Sequence, residues 1–275
     1  MCVIILCERE FPSVDTLKSA EAMNGHGGGI AWVDKTGKVM YHKALGADEI
    51  QHIIETEAQL PAIVHFRIAS IGHVSDELCH PFPITDDSEV SLSGECDSVL
   101  FHNGTWGEWD THLLSAITSG KLPMPKDTKH MSDSRCMALL ANTYGKNILN
   151  LIAGKSNKIA VLSINGIEKF GEGWVTHKSN TCSNDYFVKR ETVFTYDPMS
   201  KAYSYTIANN DNTQHHNKKK KKKGKNKTFQ DYSWKDWEYS LNNGKDNDVD
   251  KDMAISNAYD EYCSMYDKMY EGGQQ

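Results

Sequence analysis

The stretch Met1-Cys2-Val3-Ile4-Ile5-Leu6-Cys7 decides how the chain is read. Residues 2–7 are apolar without a break, whereas a strand with one wet face alternates apolar and polar side chains. A run this short predicts a strand buried on both faces, hence a sheet covered on both sides. Working outward, residues 29–33 and 38–42 read as strands around Asp34-Lys35-Thr36-Gly37, a hairpin turn. Residues 47–58 place Ile50, Ile53, Ile54 and Ala58 at helical spacing. Residues 62–69 and 98–102 read as strands, and residues 113–117 as a short helical stretch. Residues 132–153 carry the longest helical pattern, with Met137, Leu140, Ala141, Tyr144, Ile148, Leu151 and Ile152 on one broad face. Residues 159–164, 192–196 and 202–207 close the body as strands. Strands first, a helix pair in the middle, then strands again predict an α+β layered domain rather than repeated βαβ units.

The chain has 275 residues, a length for one or two domains. Its apolar runs are only a few residues long, so no membrane span is expected. The N-terminus has no basic flank, and its apolar run is too short for a secretory signal. Seven cysteines without tight pairing fit a reducing cytosol, so the expected location is cytoplasmic. The net charge of −7 is unevenly spread. Residues 1–217 carry 18 basic and 26 acidic side chains, residues 218–227 carry eight lysines and no acid, and residues 228–275 carry four basic and eleven acidic side chains. The body is therefore mildly acidic, and a nucleic-acid partner is expected only through residues 218–227. The expected organisation is a domain over residues 2–207, an Asn/Lys-rich linker over 208–227 and an acidic, Tyr-rich tail over 228–275. A block of like charge repels itself and stays solvated, so a disordered tail is expected. Ile255, Tyr259, Tyr262, Tyr266 and Met269 form an apolar stripe that could become helical on a partner.

Several segments carry candidate chemistry. Cys2 follows the initiator Met, which is normally removed before a small residue. The new terminus would hold a thiol and a free α-amine, titrating near ~8.5 and ~8, so one could serve as base for the other. The alternative is a core cysteine opening a strand, which is also how Cys7, Cys79, Cys96, Cys136, Cys182 and Cys263 read. Asn24-Gly25-His26-Gly27-Gly28-Gly29-Ile30 allows close backbone approach, but a strand follows it, so it lacks the setting of a phosphate loop. Arg67, within His65-Phe66-Arg67-Ile68-Ala69-Ser70-Ile71-Gly72, ends an apolar strand and could hold a carboxylate through two parallel hydrogen bonds. In Phe101-His102-Asn103-Gly104, an amide and a free backbone N–H could form an oxyanion hole, or simply a strand-ending turn. Ser132-Asp133-Ser134 reads as a helix N-cap whose carboxylate could also grip an ammonium group. The twelve histidines include no His-Glu-x-x-His and no close Cys/His pairing, so no metal site and no cofactor are expected. A nucleophile with its own base, a carboxylate clamp, an oxyanion hole and an ammonium clamp together suit a free α-amino acid with a side-chain amide or ester. Glutamine is the obvious candidate.

These residues resemble, in order, the motifs of a class II glutamine amidotransferase domain of the N-terminal nucleophile hydrolase superfamily. Cys2 stands at the position of the family's terminal cysteine. Residues 24–32 resemble the Asn-x-Asp-Gly-x-Gly-Ile pattern of its stand-alone members, with His26 at the aspartate. His65-x-Arg67-x-Ala69-Ser70-x-Gly72 resembles its His-x-Arg-x-Ala-Thr/Ser-x-Gly, with Ile68 where sugar-phosphate members have Trp. His80-Pro81-Phe82, His102-Asn103-Gly104 and Ser132-Asp133-Ser134 match further motifs, with Arg135 where an acid is common. The match runs from Cys2 to about Tyr186. It implies a four-layer αββα sandwich with Cys2 at the end of a central strand. It also implies hydrolysis of the L-glutamine side-chain amide to glutamate and ammonia, passed to a separate synthetase. Cys2, Asn103 and Gly104 would be catalytic. Arg67 with Ser70 would bind the α-carboxylate and Asp133 the α-ammonium, and His65, His80 and His102 would orient the motifs. The rival expectation is a catalytically silent relative that binds or regulates through its charged tail.

Overall fold

A computed structural model of the chain describes residues 2–70, 73–188, 191–197 and 202–208, the last two segments as backbone only. Gly72, the lysine-rich residues 218–227, the stripe from Ile255 to Met269 and Cys263 lie outside the described residues. The elements run β1 (Val3–Cys7), α1 (Val14–Met23), β2 (Gly28–Val33), β3 (Val39–Leu45), α2 (Ala47–Thr56), β4 (Ala62–Phe66), β5 (Phe82–Pro83), β6 (Ser93–Cys96) and β7 (Ser98–Asn103). They continue with α3 (Trp109–Thr118), α4 (Asp133–Tyr144), α5 (Leu149–Ile152), β8 (Lys158–Ser163), β9 (Gly166–Phe170), β10 (Val175–His177), β11 (Asn180–Cys182), β12 (Glu191–Asp197) and β13 (Ala202–Ala208).

This is a mixed α/β fold with antiparallel sheets. Among the described residues, one sheet has the order β10-β11-β1-β4-β2-β3-β6 and a second the order β5-β7-β8-β9, while β12 and β13 pair with each other. β1 lies inside the larger sheet, between β4 (Val3 opposite Phe66) and β11 (Ile5 opposite Cys182). All five of its residues are buried, as an unbroken apolar run requires. Alternate side chains go to different cores. Val3, Ile5 and Cys7 pack with Leu17 and Ala20 of α1 and Ile50 and Ile53 of α2. Ile4 and Leu6 pack with Val99, Phe101, Ala160 and Leu162 of the second sheet. The outer face of that sheet, through Leu100, Ile159 and Val161, holds Met137, Ala138 and Ala141 of α4. Helices α3 and α4 share a further apolar cluster around Leu113, Cys136 and Leu139. The order through the core is helix, sheet, sheet, helix.

Two boundaries differ from the sequence expectation. The strand expected over 62–69 stops at Phe66, so Arg67 to Ser70 stand in a loop. The long helix expected over 132–153 breaks at Gly145, whose φ of 83° is open to glycine and costly for other residues. Beyond the break Ile148, Leu149 and Ile152 still pack against the core, but Leu151 leaves it and is 86% exposed. Helix α1 and the short strands β5, β6 and β9 to β11 have no counterpart in the sequence reading.

Candidate active site

Segments that are distant in sequence meet at the N-terminal end of β1. Cys2 precedes the strand and is 8% exposed. Its Sγ lies 3.3 Å from both the carbonyl oxygen and the amide nitrogen of Ile68, in the loop after β4. Burial pushes the thiol up from its ordinary value, while the Ile68 N–H and the Arg67 charge pull the other way. At neutral pH the thiol therefore rests protonated and needs a base to become a nucleophile. Asn184 Nδ2 donates to the Cys2 carbonyl oxygen at 2.7 Å and fixes the backbone there.

Arg67 is buried directly after β4. Its backbone N–H donates to Gly27 and its carbonyl accepts from His26, which ties the loop to the glycine-rich segment. His26 Nδ1 also accepts from the Ala69 N–H at 3.0 Å. The guanidinium Nη2 donates to the His73 carbonyl at 3.1 Å. Nη1 is buried and has no partner among the described residues. A buried cationic N–H without an acceptor carries a desolvation cost that an anionic ligand would offset. Ser70, exposed, shares a 3.0 Å hydrogen bond with Thr105.

Asp133 is the first residue of α4, with Ser132 as N-cap accepting from the Arg135 N–H. Its Oδ2 accepts from Trp106 N–H at 3.0 Å and its Oδ1 from Ser134 N–H at 2.8 Å. Arg67 and Asp133 are the charged side chains lining one cleft. Cys2, Ser70, His80, His102 and Gly104 also line it. One cleft thus holds a thiol, a cation and an anion.

The three motif histidines form a buried cluster. His65 and His80 have ring centroids 4.1 Å apart, and His65 Nε2 lies 3.2 Å from the His102 carbonyl. His102 Nδ1 is 3.0 Å from Ser134 Oγ and 3.7 Å from Asp133 Oδ2. Burial pulls His65 down to about 3 and holds His80 well below the ordinary imidazole range. His102 is also lowered by burial, with Asp133 opposing. All three are neutral at pH 7; His65 and His102 act through hydrogen bonds, whereas both ring nitrogens of His80 are buried without a partner among the described residues, and it acts through ring packing on His65 and Phe82. Gly29 supports His80: a Cβ there would collide with the His80 carbonyl oxygen.

Asn103 and His65 are buried outside the cleft lining. Asn103, at the end of β7, donates from Nδ2 to Ser183 Oγ at 2.8 Å, and its Oδ1 has no partner among the described residues. Gly104 packs so closely on Ser156 and Asn157 that a side chain would not fit. Sequence reasoning missed Ser183, Asn184 and Asn157. Ser183 and Asn184 lie in Thr181-Cys182-Ser183-Asn184-Asp185, a stretch with no signal beyond that of a turn.

No family model matches the chain, and no curated protein does. Among solved structures, it is similar to one described as the allosteric regulatory enzyme of purine biosynthesis (TM-score 0.41, 18% identity, 60% of this chain and 36% of the other). It is also similar to glutamine phosphoribosylpyrophosphate amidotransferase from B. subtilis complexed with ADP and GMP (TM-score 0.38, 16% identity, 60% of this chain and 35% of the other). The chain spans about a third of the length of these structures.

Proposed function

We propose that this protein is a class II glutamine amidotransferase of stand-alone type, an N-terminal cysteine amidohydrolase that releases ammonia from L-glutamine for a separate synthetase. The observation that carries this reading is the buried Nη1 of Arg67, without a partner among the described residues, in one cleft with the Cys2 thiol and the Asp133 carboxylate. A cation and an anion flanking a thiol complement a zwitterionic amino acid whose side chain reaches the sulfur. The helix, sheet, sheet, helix order is the one expected of an N-terminal nucleophile hydrolase. The activity is assigned to residues 2–207, in the cytoplasm, with no cofactor required by the chemistry.

Removal of Met1 frees the Cys2 α-amine. The amine takes the thiol proton, through a water, as the sulfur adds to the amide carbon of glutamine. The resulting oxyanion is met by the Gly104 N–H and the Asn103 amide, each such donor being worth about 10²–10³ in rate. The same amine returns the proton to the leaving ammonia, and the C–N bond breaks to leave a glutamyl thioester. Water then adds to the thioester, and glutamate and the thiol are regenerated. Arg67 and Ser70 hold the α-carboxylate, and Asp133 holds the α-ammonium.

A silent relative acting through its tail is the second reading. It is favoured by one observation, the engagement of Asn103 Nδ2 with Ser183 rather than with the cleft. Intact-mass analysis separates the two after incubation with a glutamine analogue bearing a diazoketone. The amidohydrolase reading expects loss of Met1, one adduct on Cys2, no adduct in Cys2→Ala, and glutamate release by the wild type. Retained Met1 with no glutamate release would establish the silent reading.

A further inference from the structure

Ser183 and Asn184 follow β11 and touch both sides of the proposed reaction centre. Asn184 holds the Cys2 carbonyl. Ser183 holds Ile4 twice: its N–H donates to the Ile4 carbonyl at 2.9 Å, and its Oγ accepts from the Ile4 N–H at 2.9 Å. The same Oγ accepts from Asn103 Nδ2. A fully buried hydroxyl therefore links the strand that carries the nucleophile to Asn103, from positions 179 and 80 residues away.

The hydrogen count at this hydroxyl is uneven. Ser183 Oγ accepts two hydrogen bonds, and its own hydrogen has no acceptor among the described residues. Asn103 Oδ1, on the same carbon as the donor Nδ2, is buried without a hydrogen-bond donor among the described residues. A half-turn of the Asn103 amide about its side-chain axis resolves both. Oδ1 then accepts the Ser183 hydroxyl hydrogen, Ser183 still accepts from Ile4, and the amide NH₂ is released for another acceptor. A carboxamide oxygen is short of a partner before the turn, and an NH₂ group is available after it.

We infer that Ser183 is a positioning residue that holds the Asn103 amide in this turned state, with its NH₂ presented to the oxyanion, while registering β1 against β7. This rests on the amidohydrolase reading. Ser183 touches no substrate and acts only through Asn103 and Ile4.

The test is a double-mutant cycle on the full chain, with kcat and KM for glutamine measured in wild type, Ser183→Ala, Asn103→Ala and the double variant. Misplacing a catalytic group by about 1 Å can cost on the order of 10²-fold, so Ser183→Ala is expected to lower kcat about tenfold to hundredfold with little change in KM. In the Asn103→Ala background the same change should cost about twofold or less, because residues that act as one unit are not additive. Ser183→Thr, which keeps the hydroxyl, should restore kcat. Melting curves accompany each variant. If Ser183→Ala melts below the assay temperature, Ser183→Cys, similar in size and a poor donor, is expected to show the same kcat loss. An unchanged kcat in these variants, or equal fold-losses with and without Asn103, would overturn the inference while leaving the amidohydrolase reading intact. A wild-type chain that releases no glutamate and is not labelled at Cys2 would overturn both.

Discussion

Arg67 is tied to His73 through one nitrogen only: Nη2 donates to the His73 carbonyl at 3.1 Å, and the buried Nη1 beside it has no partner among the described residues. The guanidinium is thus held in place with half of its fork left over. Arg67→Lys keeps the charge and loses the fork, so it should raise KM for glutamine about tenfold to hundredfold with a smaller effect on kcat. Asp133→Asn should move KM in the same direction. Initial rates of glutamate release across a glutamine series check both, and a fall in kcat at constant KM would remove these residues from substrate binding.

The Asn103 amide gives the opposite kinetic pattern. Asn103→Ala should lower kcat by about 10²–10³ with little change in KM, because an oxyanion forms only on the way to product. Steady-state rates decide the point. A change confined to KM would mean that Asn103 meets the ground-state substrate instead.

Acid should unfold the protein earlier than its carboxylates alone would. His65 is held near about 3, and His80 and His102 are also lowered, against ~6.5 for an imidazole in the unfolded chain. Below that pH the unfolded chain binds protons that the native histidines refuse. The stability from their neutral burial is therefore complete above about 6.5 and is lost as pH falls toward about 3. Three protons correspond to a slope of at most about 4 kcal/mol per pH unit. Urea unfolding across this range measures it, and His80→Gln should remove about a third of the slope.

Arg135, where an acid is common in the resembling family, is fully buried and donates to the carbonyls of Asp87, Ser88, Asp127 and His130. It ties residues 87–88 and 127–130 to the start of α4. Arg135→Met should strand these carbonyls and destabilise the fold by about 2–4 kcal/mol. A thermal melt would register this as a fall of roughly 5–15 °C.

What was legible in the sequence depended on how far apart the interacting groups lie. β1, the Asp34–Gly37 turn and α2 announce themselves through local pattern: an unbroken apolar run, turn residues between strands, and isoleucines at helical spacing. α1 does not, because its buried residues are only Thr16, Leu17 and Ala20, with Val14 and Met23 exposed. The end of the strand at Phe66 is hidden in the sequence because Ile68 and Ala69 are as apolar as strand residues. Both stand half-buried in the loop around Cys2. The residues lining the cleft could be picked out because each belongs to a short motif. Their partners could not, since Ser183, Asn184 and Asn157 are polar residues in turn-like stretches, brought to the site only by the pairing of β11 with β1 and the packing of Asn157 beside Gly104.

The place of β1 between β4 and β11 also sets a timetable for synthesis. Val3 to Cys7 leaves the ribosome before both of its neighbours, one completed at Phe66 and the other only at Cys182. At about 5–20 residues per second, the strand waits roughly ten to forty seconds for its second edge to be covered. Native contacts of such long sequence separation form slowly, and meanwhile Val-Ile-Ile-Leu-Cys offers an open, uncharged ladder to any other nascent chain. A segment that ends up buried on both faces inside the sheet is, during translation, one that a chaperone would have to shield.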